Sequence, residues 1–175
     1  MNRKRSAYVL PALLLLSLSL ASTASTELTR AEAQSGDSAR EFTVYIDSLK
    51  SQDQKLVLTA DEIGWYEGPA ADAIFAERDP ESAAELGGTP DGYYIVNDSD
   101  TLSSYPVSPD AQVVMQIYDR TGKLEDLDIN WNEEISLAKF TGEFAKKDII
   151  DLSQSPYHVT VKDGQIVLIV QQYTP

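Results

Sequence analysis

The closing stretch "SPYHVTVKDGQIVLIVQQYTP", residues 155–175, constrains the fold of this chain more than any other. Val159 and Val161 alternate with His158, Thr160 and Lys162, and a second apolar run from Ile166 to Val170 follows the turn sequence "KDG". Alternation with a period of two places successive side chains on opposite faces of a strand, and Asp-Gly between two such runs signals a tight hairpin. Val159, Val161, Ile166, Leu168 and Val170 form the densest apolar set in the chain and are assigned to its core. His158, the only histidine, falls on the other face and is read as a half-exposed strand residue rather than as a base.

The same texture opens the folded part. "FTVYIDSL" and "KLVLTAD" flank the polar turn "KSQDQ" and read as a first antiparallel hairpin, with Leu56, Leu58 and Ala60 on one face. From "IGWYEGPAADAIFAERDP" the period changes to that of a helix, with Pro69 at its first turn and Asp79-Pro80 ending it. Asp79 also starts a second turn closed by Gly87 and Gly88. "YYIVN", "TLSSYPV" and "AQVVMQIY" read as three further strands. The acidic, irregular region from Leu124 to Glu134 offers Ile129 and Trp131 as anchors. With Thr141 as N-cap, "GEFAKKDIIDL" places Ala145, Ile149 and Leu152 at helical spacing. Hairpin, insertion, strands, helix and hairpin together predict a mainly β fold with helices, a β-rich α+β class. A small antiparallel barrel of the OB type fits this order, with residues 63–107 carrying the insertion and a helix between the third and fourth strands of five. A two-layer α+β sheet is the alternative.

The first residues predict export. Arg3, Lys4 and Arg5 form a basic region, Tyr8 to Ala21 an apolar one, and small residues follow, the pattern of a secretory signal peptide. The expected organisation is a signal peptide over 1–24, a flexible polar linker over 25–40, and a single β-rich globular domain over 41–175. Cleavage is expected after Ala24, with Ala33 as the alternative. No segment after the signal has the length and apolarity of a membrane span.

Charge and composition exclude several partners. With 28 acidic against 14 basic residues the formal net charge is -14, opposite to what phosphate recognition needs, so no nucleic acid partner is expected. The chain contains no cysteine, which removes disulfides, thiolate chemistry, cysteine-held zinc and a lipoprotein anchor. An exported domain without disulfides points to a bacterial origin. A secreted or cell-envelope monomer that requires no cofactor is expected.

The ordered set "YIDSLKSQDQKLVL", "IGWYEGPAADA", "DGYYIVNDSDTL", "YPVSPDAQV" and "PYHVTVKDGQIVLIVQQYTP" resembles a widespread family of small exported bacterial proteins with no assigned biochemical function. The resemblance runs from about Tyr45 to Pro175. It implies an envelope or secreted location and one compact domain, and carries over no catalytic residue.

Chemistry is sparse. Without a G-x-S-x-G elbow, a serine hydrolase would rest on His158 alone. A pair of carboxylates across a cleft would suffice for a small hydrolase, but in so acidic a chain abundance says nothing. Asn97, Asp98 and Asp100 offer oxygen ligands of the kind calcium prefers, although the EF-hand pattern is absent and a solvated turn is the simpler reading. Aromatics give the remaining signal: Trp65, Tyr66, Tyr94, Tyr157 and Tyr173 lie near strand ends and are assigned to a platform for a protein, a glycan or a small ligand. Adjacent strand residues point to opposite faces, so only one of each neighbouring pair can join a common surface. A non-catalytic envelope module that binds such a partner is the expected function. The alternatives are a carboxylate-dependent hydrolase and a calcium-binding surface protein.

Overall fold

The computed structural model describes residues 39–174, and the expected signal peptide and most of the expected linker lie outside them. Two long strands, β1 (Arg40–Gln52) and β2 (Lys55–Glu67), form the first hairpin. Its turn is made by Asp53 and Gln54, both at positive φ (48° and 65°), the backbone that matches the twist of two-residue hairpins. Helices α1 (Gly68–Arg78) and α2 (Pro80–Leu86) and strand β3 (Tyr93–Val96) follow as the insertion. Then come β4 (Leu102–Met115), the short β5 (Glu133–Ile135), α3 (Leu137–Phe144) and the closing hairpin of β6 (Pro156–Lys162) and β7 (Gln165–Gln171).

Pairing runs β1-β2-β4-β7-β6 and returns to β1, so five strands close on themselves. All neighbours are antiparallel except β4 and β7, which run parallel, so the barrel is mixed rather than purely antiparallel. With α3 between the third and fourth barrel strands, this is the OB-type arrangement and not the two-layer sheet. β3 and β5 are additions at β2 and β4.

Inward side chains fill the barrel. Val44, Ile46, Leu58, Ala60, Val107, Val113, Met115, Tyr157, Val159, Ile166 and Ile169 are buried together with Phe140 and Phe144, which α3 pushes into the barrel. Ile63, Ala71 and Phe75 are buried outside this core, under the insertion. Among the described residues no helix is long and apolar enough to cross a membrane.

Four expectations need correction. Leu168 and Val170 do not face the core: the register slips between Thr160 and Val161, leaving Val167 as an extra residue, so Ile166 and Ile169 point inward instead. "TLSSYPV" and "AQVVMQIY" are not separate strands, because β4 continues through Pro109 with an irregularity between Val107 and Gln112, a place where proline is tolerated. The last helix lies upstream of its expected position: Ser136 caps α3 by accepting from Lys139 N at 3.2 Å, while Thr141 is inside it and donates to Leu137 O at 2.9 Å. Trp131 is 65 % exposed and anchors nothing in the core.

Candidate functional site

β2 outruns the barrel and carries β3 with it as a two-stranded ribbon. Directly paired residues share a face, so Trp65, Glu67, Tyr93 and Ile95 point one way and Gly64, Tyr66, Tyr94 and Val96 the other. On the first face the rings of Trp65 and Tyr93 stack with centroids 4.7 Å apart and planes 5° apart. Trp65 also meets His158 edge-on, at 5.5 Å and 85°. On the second face Tyr94 packs against Phe75 of α1 at 5.5 Å. There the Tyr66 ring lies so close to Gly64 that an added Cβ would come within 2.9 Å of Tyr66 Cε2, which accounts for the glycine.

The insertion is fastened so that this ribbon keeps its place. Asp72 Oδ1 accepts from Thr89 N and Thr89 Oγ1 at 2.8 and 3.0 Å, and Gly68 N donates to Gly92 O at 2.9 Å. Arg78 grips both carboxylate oxygens of Asp98, at 2.8 and 2.5 Å, tying the end of α1 to the segment after β3. That two-pronged geometry is stronger than an ordinary surface pair.

The first face of the ribbon continues over the outside of the barrel. Thr43 is paired with Ile63 on one side and His158 on the other, His158 with Val170, and Thr160 with Leu168. Glu41, Thr43, Trp65, Glu67, His158, Thr160, Leu168 and Val170 line a groove of about 410 Å³. Its floor is aliphatic, its wall aromatic and its rim acidic. Glu41 and Glu67 are exposed and enter no ion pair among the described residues. His158 Nδ1 lies 2.8 Å from Thr43 Oγ1. Burial pushes the His158 pKa below its ordinary 6.5, with Glu67 and Glu41 opposing the shift, so the ring is neutral at pH 7. Trp65 Nε1 is buried without a hydrogen-bond partner. Such a donor costs about 1–3 kcal/mol while it stays unmet.

The structure separates the residues expected to form one platform. Trp65 stands in the groove, while Tyr66 and Tyr94 are paired across the opposite face of the ribbon. Tyr157 is fully buried in the barrel, its hydroxyl donating to Leu152 O at 2.9 Å, and presents no surface. Tyr173 stands apart against Trp131, with centroids 5.8 Å apart. Besides His158, the groove's polar groups are Glu41, Thr43, Glu67 and Thr160, none of them assigned to a site from the sequence, although the period-two rule puts Glu67 on the face of Trp65. Of the expected calcium ligands, Asp98 is engaged by Arg78, which holds its carboxyl below the usual range, and Asn97 donates to Asp61 Oδ2 at 2.6 Å. Asp100 is exposed, and the described residues contain no group of three or more His, Asp or Glu placed to hold a metal ion.

A second concavity, about 790 Å³, lies at one end of the barrel. The β1–β2 turn contributes Gln54, β2 contributes Lys55 and Leu56, β4 contributes Val107 and Pro109, α3 contributes Leu137, Ala138, Thr141 and Gly142, and β7 contributes Gln165. Both volumes fall in the range of ordinary small-ligand sites, roughly 300–1,000 Å³. Comparison of the chain with protein-family models, curated proteins and solved structures finds no match.

Proposed function

We propose that this protein is an exported, non-catalytic binding module of the cell envelope or extracellular space. Its partner is a protein that presents a lysine or arginine side chain to the Trp65 groove. One observation carries the reading: an indole fixed between Tyr93 and His158 shares a groove with two carboxylates, Glu41 and Glu67, that have no ion-pair partner among the described residues. A cation over an indole gains about 0.5–2 kcal/mol, more as it is desolvated, and the carboxylates add attraction at the rim.

The hydrolase alternative would need a carboxyl held protonated as general acid. The carboxyls whose pKa moves, Asp72, Asp79, Asp98, Glu133 and Asp151, all move down, toward fixed anions, and all lie outside the groove. Their hydrogen bonds staple loops and helix ends, which suits a scaffold better than a proton donor.

The test is a titration of the purified protein with a short lysine- and arginine-containing peptide and with its acetylated, citrulline-substituted counterpart, followed by NMR shift mapping. The charged peptide is expected to perturb the Trp65 indole and the His158 ring. Trp65→Ala should weaken binding about 5- to 30-fold, and Glu41→Gln with Glu67→Gln should abolish the preference for charge. Shifts scattered over the acidic surface and indifferent to Trp65→Ala would refute the site. Export is checked separately by N-terminal sequencing of native material, which should begin near Ser25; a product beginning at Met1 would refute it.

A further inference from the structure

The concavity at the barrel end has the opposite chemistry to the Trp65 groove. In a chain with 28 acidic residues against 14 basic ones, no carboxylate among the described residues lines it, and the single charged group that they bring to it is Lys55. Lys55 is exposed and in no ion pair among the described residues. Behind it the walls are apolar, made by Leu56, Val107, Pro109 and Leu137.

Two details of the backbone open this space. The irregularity of β4 between Val107 and Gln112 lifts Pro109 out of regular pairing, which breaks the continuity of the barrel wall there. On the facing helix stands Gly142, whose φ is not positive and where an added Cβ would meet nothing within 4 Å. Glycine inside a helix is unfavourable unless something uses the room it leaves.

We propose that this groove binds a free single-chain carboxylate amphiphile, with its alkyl chain along α3 and Pro109 and its carboxylate on Lys55 Nζ. Charge complementarity selects the head group: an anion finds its one cation here and no opposing acid. The surrounding negative charge of the chain, -14 overall, argues against an anionic lipid surface as the occupant. A concave space of about 790 Å³ suits a single chain that buries most of its length.

Calorimetric titration of the purified protein with decanoate, decanol and decyltrimethylammonium tests the assignment. One decanoate per chain is expected. Gly142→Trp, which fills the groove from its open wall, should abolish binding while circular dichroism and melting stay native. Should that variant fail to fold, Ala138→Trp on the same wall decides. Lys55→Gln should weaken decanoate roughly fivefold at low salt and leave decanol unchanged. Trp65→Ala should change none of this, which keeps the result distinct from the fate of the Trp65 groove. Absence of decanoate binding, or binding that survives the tryptophan variants, overturns the site. Equal affinity for all three amphiphiles overturns the head group, and partitioning to phosphatidylcholine vesicles in preference to free decanoate overturns the ligand class.

Discussion

Gln171 shows how much of this fold hangs on single side chains. It is fully buried near the C-terminus, its Oε1 accepts from both Gln116 N and Ile117 N at 2.9 Å, and its Nε2 donates to Ser155 Oγ at 3.1 Å. Gln116 answers by donating from Nε2 to Gln171 O at 3.1 Å. An amide thus takes over from the β4–β7 ladder where regular pairing ends. Replacing it with leucine keeps the volume and orphans two backbone N–H groups, each costing about 1–3 kcal/mol. Gln171→Leu is therefore expected to lower stability by about 2–6 kcal/mol, read from the shift of the urea midpoint at constant slope. None of this was legible in "VQQYTP": a glutamine near a terminus ordinarily reads as solvated, and only the position of β4 beside β7 gives it two donors. Trp65 is the contrary case. Its residue type and strand-end position marked it in the sequence, but its partners come from across the ribbon and around the barrel, at sequence distances no local pattern reports.

The hairpins were the most legible elements, because turn chemistry and period-two alternation are local. Asp163 and Gly164, at φ 51° and 73°, make the expected turn, as Asp79 makes the expected cap of α2 by accepting from Ser82 N at 3.1 Å. Elements whose limits depend on packing were misjudged. α3 begins at Leu137 because Phe140 and Phe144, one turn apart, are what the barrel end accommodates, and the cap falls to Ser136. Of the rival helix's apolar positions Ala145 is exposed and Ile149 half-buried, and Leu152 enters the core from a separate short turn just before β6. The two caps can be weighed directly. Ser136→Ala should cost about 1 kcal/mol, a fall of a few degrees in melting temperature. Thr141→Ala should be neutral or slightly stabilising, since its hydroxyl only bonds back to Leu137 O. Equal losses from the two variants in thermal melts would return the cap to Thr141.

At the scale of the whole molecule, charge couples stability to pH in two separate windows. His158 has a folded pKa below its ordinary 6.5, so the folded state resists its proton. Stability is full above the unfolded value and declines as pH falls from about 6.5 toward the lower folded value. Asp79, Asp98, Glu133 and Asp151 also titrate lower in the folded state, held by hydrogen bonds from Ser82, Arg78, Tyr118 and Ser153 respectively. Their contribution is present above the ordinary carboxylate range and disappears only as pH falls below it. Urea midpoints of wild type and His158→Gln, compared across this range, should diverge as pH falls from about 6.5, before the carboxylate losses common to both set in. Divergence confined to the acid limb would assign the first window elsewhere. Topology acts on the whole molecule through time as well. β1 must find β6, whose His158 lies 115 positions from Thr43, and β7, the final strand, is the piece that joins β6 to β4. Without β7, β4 and β6 each keep an open edge, so the ring of strands closes only when β7 is in place. Such long-range pairing sets a slow clock for folding. During synthesis the barrel therefore cannot close before the seven residues of β7 have been made.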